Sequence, residues 1–318
     1  MPRVSSQDGL SKAAVRILMV GLFVIWSNSF TAIKHLRDVL DPMELVLARF
    51  LPVALFSFVY LISSGKRRAE SRALLRGSWI QIIIMAIVGV WGYNYFLSLG
   101  QSEIKPGAAA LITSLVPLFT AILAALLLRE RVPLRRAAGI VIGFVGLYFV
   151  VRWGSIGMGR VTGITNAELK YALIAALAPF CWSVYSIAGK QIAGKGSTLT
   201  ITYLSLVIGT IPVLFTLDGD FAAKLIHMGP SYWIALLYLS VMCTIIGFFI
   251  WVTGLKYLPA TSVASYVFLN PPFAAFFGWL LFGEEITWLF LAGSTVVLAG
   301  LYLTQTGENE TSGSRNEA

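Results

Sequence analysis

The chain has 318 residues, of which 57% are hydrophobic and 12% charged, and its mean hydropathy is +0.79. So much apolar surface exceeds what one aqueous core can bury, which excludes a single soluble domain and calls for lipid as a solvent. The net charge of +9 sits in short basic clusters between apolar runs, a pattern that fits membrane-flanking loops better than a nucleic-acid face.

Arg3, Lys12 and Arg16 precede an apolar run from Val15 to Ile33. The run is too long for a signal-peptide core and no small-residue cleavage site follows, so it reads as a retained first helix behind a short segment, 1–14. A helix needs roughly 20 mostly apolar residues to cross a bilayer, and ten stretches qualify: 15–34, 43–63, 78–100, 106–128, 134–152, 170–190, 198–216, 230–255, 258–282 and 286–305. Continuous rather than alternating apolarity selects helices over barrel strands. The fifth span is uncharged only from Ala137 to Val151, with Arg136 and Arg152 expected to snorkel to the two interfaces. Pro42, Pro106, Pro133 and Pro230 stand at helix starts, where a missing N–H costs little. The expectation is an all-α integral membrane protein with units 15–152 and 170–305, a linker 153–169, and a Glu/Ser/Asn-rich tail, 306–318, of disordered composition. Cys181 and Cys243 fall inside apolar runs, as buried small hydrophobes rather than a disulfide framework.

Charge sets the expected orientation. Of 24 Lys and Arg, only Lys34, Arg37, Lys105, Arg152, Arg160, Lys170 and Lys224 fall opposite the N-terminus, and Arg49 lies inside a span. Both termini are therefore expected in the cytoplasm.

The chain also repeats itself. Residues 92–148 align without a gap on 246–302, pairing Gly100 with Gly254, Pro117 with Pro271, Phe119 with Phe273, Glu130 with Glu284, Gly139 with Gly293, and Gly146-Leu147-Tyr148 with Gly300-Leu301-Tyr302. Upstream, Trp26-Ser27 pairs with Trp182-Ser183 and Lys34 with Lys190. Five spans per half is an odd number, so the second half is expected to insert upside down. Loop charge agrees, Arg129-Glu130-Arg131 being basic and Gly283-Glu284-Glu285 not. Inverted repeats are an architecture of secondary transporters, with the substrate site near the midplane between the halves.

Trp26-Ser27-Asn28-Ser29-Phe30 with Lys34, Pro42 and Arg49-Phe50, followed by Pro117-Leu118-Phe119 through Arg131 and Pro271-Pro272-Phe273 through Glu285, resembles the EamA-type transporters of the drug/metabolite transporter superfamily. The resemblance covers roughly 15–305. It implies two inverted five-helix EamA repeats in a bacterial inner-membrane carrier, usually an exporter of amino acids, related metabolites or small amphipathic compounds. The second half departs from the pattern, with Val184-Tyr185 in place of Asn28-Ser29 and Val207 or Ile208 near the position of Arg49.

Arg49 is the one basic residue inside an apolar span, at a cost of about 2.5–3.5 kcal/mol near a helix centre. It reads as a substrate-carboxylate anchor, as a structural partner of Glu44, or as snorkelling to the headgroups. No Asp or Glu lies deep in a span, so the ion coupling is not visible. Asn28, Asn94, Gln101 and Asn270 need partners in an apolar setting, either across helices or in a hydrated cavity. Trp26, Tyr93, Trp182, Tyr185, Trp251 and Tyr266, with Trp91, are candidates to line a pore, whereas Trp79, Trp233 and Trp288 fit an interfacial belt. Pro117 and Pro271 interrupt helices at related positions, opening the carbonyls of Thr113 and Val267 to other donors, and are candidate gating points. Gly139, Gly143, Gly146, Gly293 and Gly300 read as faces for close helix contact.

Gly189 to Gly196 nearly matches a phosphate loop but has Gly196 where Ser or Thr belongs and ends a membrane helix. His35 and His227 lie in outer loops, away from the cysteines. No catalytic group, metal site or cofactor is expected, and the chain does not read as an enzyme. The expected partners are a small-molecule substrate and membrane lipid, no nucleic acid, with the chain acting as a monomer or homodimer. The leading reading is an exporter working by alternating access, the alternatives an importer or exchanger in the same fold and, from another class, a lipid-modifying membrane enzyme.

Overall fold

The computed structural model describes residues 10–100, 112–130, 132–153, 166–216, 220–282 and 288–306. Gln101, Pro106, the Glu284 loop, the linker between 154 and 165 and the tail from Gly307 lie outside them, as do the side chains of Lys34 and Arg152. The described residues form helices joined by turns, with no strand among them.

In chain order the first half contains α1 (Lys12–Leu36), α2 (Pro42–Ile62), the short basic α3 (Gly65–Gly77), α4 (Trp79–Gly100), α5 (Val116–Leu127) and α6 (Leu134–Trp153). The second contains α7 (Asn166–Ile192), α8 (Thr198–Thr210, extended by a 3-10 turn Ile211–Thr216), a six-residue α9 (Phe221–Ile226) and α10 (Pro230–Tyr257). It closes with α11 (Ala260–Ser265), a 3-10 turn Tyr266–Leu269, α12 (Asn270–Phe282) and α13 (Trp288–Thr306). Among the described residues six helices are long and apolar enough to cross a membrane, and two shorter apolar helices accompany them. Large apolar side chains such as Leu134 (85% exposed) and Leu126 (71%) face outward, an arrangement that lipid tolerates and water does not.

Helix starts follow local chemistry. Ser11 accepts from the Ala14 N–H, Ser64 from Arg67 and Ser197 from Thr200. At α2 the Glu44 carboxylate accepts from the Asp41 N–H at 2.8 Å, with Pro42 in the first turn.

The repeat reappears in the backbone. α4 contains a π-helical stretch, Ile84–Gly92, and α10 contains one at Tyr238–Ile246, in the register that aligns 92–148 with 246–302. The starts of α5 and α12 and of α6 and α13 keep that register, and those of α2 and α8 keep the register of the tryptophan pair. Packing is reciprocal: α1 lies on α10 and α12, while its counterpart α7 lies on α4 and α5; α2 meets α8, and α6 meets α13.

Glycine sets the α6–α13 contact. A Cβ at Gly139 would stand 2.7 Å from the Gly300 oxygen, one at Gly146 2.6 Å from the Val297 nitrogen, and one at Gly300 2.5 Å from the Gly143 nitrogen. As numbers rise along α6 they fall along α13, so these two repeat-related helices run antiparallel.

Arg136 departs from the expected snorkelling. It is 3% exposed and points inward, with Nη1 donating to Thr261 Oγ1 at 3.0 Å and Nε to the Thr304 carbonyl at 3.4 Å. The start of α11 and the end of α13 each offer an acceptor that an interfacial rotamer would leave unused.

Candidate functional site

A cavity of about 140 Å³ lies between the halves. Its floor is the repeat-related pair Trp26 on α1 and Trp182 on α7, whose rings meet at 5.7 Å. Tyr93 leans on Trp182 at 5.1 Å and Phe248 meets it edge-on at 5.2 Å. Asn94 with Phe248, Thr113 with Val267, and Val116 with Asn270 are also repeat-related, and all line the walls. The cavity thus takes equivalent residues from both halves. From the floor it extends towards the end of α1, past Ile33, Pro42 and Leu45 to the exposed Arg37.

Arg49 lines the same cavity. Its Nε donates to Thr244 Oγ1 at 2.6 Å, and the Thr244 hydroxyl donates to the Leu239 carbonyl five residues back at 2.9 Å, a bond that the π-helical register permits. Ser240, on the same stretch, donates to the Arg49 carbonyl at 3.0 Å. The expected alternative, a pair with Glu44, is not made: Lys224 Nζ holds both Glu44 oxygens at 2.8 Å. Glu44 and then Asp41 raise the Lys224 ammonium above the usual lysine range. No described carboxylate pairs with Arg49, and none lines the cavity.

The other end of the bundle is shut. Lys190 Nζ donates to the carbonyls of Leu255 (2.8 Å) and Leu258 (2.7 Å) where α10 ends. Glu130 accepts from the Ala260 N–H at 3.2 Å, Gln305 donates to the Ser262 carbonyl at 3.0 Å, and Arg16 donates to the Gln305 carbonyl at 3.4 Å. With Arg136, these groups fasten the α10–α11 corner to α1, α6, α7 and α13. At the same end Glu70 on α3 caps α8. Burial raises its pKa, but donors from Ser197 and Thr200, with Lys66 nearby, outweigh that and leave it below the usual carboxylate range.

Comparison with known proteins assigns the frame. The model of the EamA-like transporter family matches twice, over residues 14–152 and 169–306. The chain belongs to the EamA-like transporter family. An uncharacterized transporter of Archaeoglobus fulgidus is similar at 28% identity over 294 residues, covering 90% of this chain and 97% of that one. A probable terminal-alkyne amino-acid exporter of Streptantibioticus cattleyicolor is 26% identical with 97% of each chain covered. A probable amino-acid metabolite efflux pump of Salmonella typhimurium is also 26% identical, covering 89% of this chain and 92% of that one. A crystal structure matches with a TM-score of 0.74 at 19% identity over 95% of this chain and 99% of that one, which supports the fold.

In this EamA-like transporter six of the sequence-named residues meet in the cavity: Trp26, Arg49, Tyr93, Asn94, Trp182 and Asn270. Trp251, Tyr185 and Tyr266 are not among its lining and sit under the floor. Trp251 stacks on Trp26 at 5.6 Å and donates to Ser186, Tyr185 stacks on Trp182 at 5.0 Å, and Tyr266 stacks on Phe23. Asn28 does not line the cavity; its amide donates to the Val24 carbonyl of its own helix. Asn94 donates likewise to Val90 but lines the cavity, so of the two alternatives, a cross-helix bond or a place in the cavity, Asn94 and Asn270 take the second and Asn28 has neither described; Asn270 Oδ1 is buried without a described partner. Trp91 stacks on Tyr95, away from the lining. Of the two prolines, Pro117 and Pro271 do not line the cavity but Thr113 and Val267 do, and the Val267 carbonyl accepts from the Asn270 N–H in the 3-10 turn.

Arg37, Ser29, Thr244 and Phe248 escaped sequence reading. Phe248 stands opposite Asn94 in the repeat, a signal the alignment contained. Thr244 carried none, because a π-helical register is invisible to a 3.6-residue periodicity.

Proposed function

We propose that this chain is a secondary transporter of small organic solutes, built as ten membrane-spanning helices in two inverted five-helix repeats. It exports amino acids or related metabolites by alternating access from a bacterial inner membrane, with both termini cytoplasmic. The observation that carries this reading is a cavity lined by repeat-related residues of both halves, reaching one end of the bundle and shut at the other. The antiparallel α6–α13 pair supports inversion, and the exporter names of the two 26%-identical relatives support the solute class and direction.

The repeat also supports a second state. The residues along the open path have partners in the other half: Ser29 with Tyr185, Val46 with Thr202, Arg49 with Ser205, Leu97 with Trp251. Those four partners are fully buried towards the shut end. Thr253, Ser262, Thr202 and Ser57 are likewise buried, with hydroxyls that find no described partner, a cost of about 1–3 kcal/mol each. Exchange of conformation between the halves would open that face and let water reach these hydroxyls.

Purified protein in liposomes should accelerate counterflow of labelled amino acids or their derivatives. No acceleration across a broad metabolite panel would refute the transport reading. An overexpressing strain that accumulates the solute internally, instead of releasing it, would reverse the direction.

A further inference from the structure

Charge along the described lining is one-sided. Among the described residues the two groups of fixed charge on it are both guanidinium groups, Arg37 at the mouth and Arg49 within the membrane span. Of the described carboxylates on that side, Glu44 and Asp41 are held by Lys224, and the exposed Asp38 lies 4.0 Å from the His35 ring. Arg49 spends Nε on Thr244, a neutral hydroxyl, and its two remaining amino groups have no described partner. Beyond the Phe50 ring, 5.2 Å from its Cζ, the guanidinium has no described counter-charge in a medium of low dielectric. The duplication does not explain it: the helix starts at Pro42 and Thr198 set a register that pairs Arg49 with Ser205 rather than with Val207 or Ile208, and Arg37 with Ala193.

The remaining walls are flat and apolar, Trp26, Trp182 and Phe248, with Asn94, Asn270 and the Tyr93 ring among them. Among the described lining residues an ammonium placed here would meet two cations and no carboxylate, with neutral dipoles to solvate it.

We propose that the cavity selects solutes of net negative charge over zwitterions and cations of the same skeleton: small carboxylates with a flat apolar body, the oxyanion on the Arg49 fork and the body against Trp26, Trp182 and Phe248. This rests on the reading of the cavity as the solute site, but it concerns binding order and not movement. Of the amino acids and related metabolites proposed above, this narrows the solute to N-blocked amino acids and arylalkanoates, with the free α-amino acid the disfavoured form.

The test is isothermal titration of purified full-length protein with four probes of one skeleton: hydrocinnamate (anion), hydrocinnamamide (neutral), phenylalanine (zwitterion) and phenethylamine (cation). Hydrocinnamate is expected to bind tightest, roughly tenfold or more ahead of phenylalanine, with phenethylamine weakest. Arg49→Gln should bring hydrocinnamate down to the level of hydrocinnamamide, and Arg49→Lys should keep the order with reduced affinity, charge retained and fork lost. Arg37→Gln should slow association of hydrocinnamate and weaken its dependence on salt. Equal or tighter binding of phenylalanine or phenethylamine by the unaltered protein overturns the proposal whatever the variants do, and so does binding of none of the four. Because titration requires no movement across a membrane, a failure of counterflow leaves this order standing.

Discussion

Lys190→Met should loosen the shut end of the bundle without touching the cavity. The Leu255 carbonyl would find its next helical donor four residues on, but that residue is Pro259, which has no N–H. The Lys190 ammonium supplies the missing donor at 2.8 Å and caps Leu258 as well at 2.7 Å, where the partial negative charge of the α10 C-terminus favours a cation. A hydrogen bond to a charged group contributes about 1.5–3 kcal/mol when well desolvated. Lys190 is half-buried, so we take about 2 kcal/mol for the two together, a shift of about 30-fold between shut and open forms. The assay places a single cysteine at Ser262, fully buried here, with Cys181 and Cys243 replaced, and follows its reaction with a maleimide in nanodiscs. Reaction requires opening, so the rate reports the open fraction. The Lys190→Met background should label about 30-fold faster than its parent; a ratio below about 3 would refute the assignment of Lys190 as the clasp.

Four further outcomes follow from the same geometry. Gly300→Leu should force α6 and α13 apart at a cost of at least about 1–3 kcal/mol, read as a lower thermal midpoint, whereas Gly21→Leu, with nothing within 4 Å of its Cβ, should leave the midpoint in place. Glu70→Gln should weaken the α3–α8 tie at neutral pH, by only about 0–1 kcal/mol because the group is largely solvent-screened. The folded-state pKa of Glu70 is depressed, so its contribution is full above the ordinary carboxylate range and lost as pH falls through the lower folded value; midpoints of variant and parent should converge in acid. Pro271→Ala restores a donor for the Val267 carbonyl, which Asn270 now serves, and should slow counterflow with little change in affinity. Arg136→Met leaves the Thr261 hydroxyl and Thr304 carbonyl short of a buried donor and should lower thermal stability while also speeding Ser262→Cys labelling.

What could be read from residues alone follows from which interactions are local. The starts of α2, α6 and α10 were legible because Pro42, Pro133 and Pro230 sit in or just before the first turn, whereas the equally local caps Ser11 and Ser197 went unread and α1 begins at Lys12 instead of 15. The repeat was legible because duplication preserves register, and that register carried Trp26 and Trp182 to one cavity floor. What stayed hidden depends on distant choices between acceptors. Arg136 could snorkel or turn inward, and the Thr261 and Thr304 oxygens that decide it come from helices more than a hundred residues away. Glu44 stood five residues from Arg49 and looked available, yet Lys224 on the far side of the chain takes it and leaves the arginine to the cavity. Tyr185 and Trp251 illustrate the deeper limit: their repeat partners Ser29 and Leu97 line the open path while they themselves are sealed beneath it. Equivalent residues of the two halves thus stand in different surroundings. Under the exchange of conformation proposed above, sequence symmetry names both access paths at once, and the packed clasp at Lys190 marks the closed one.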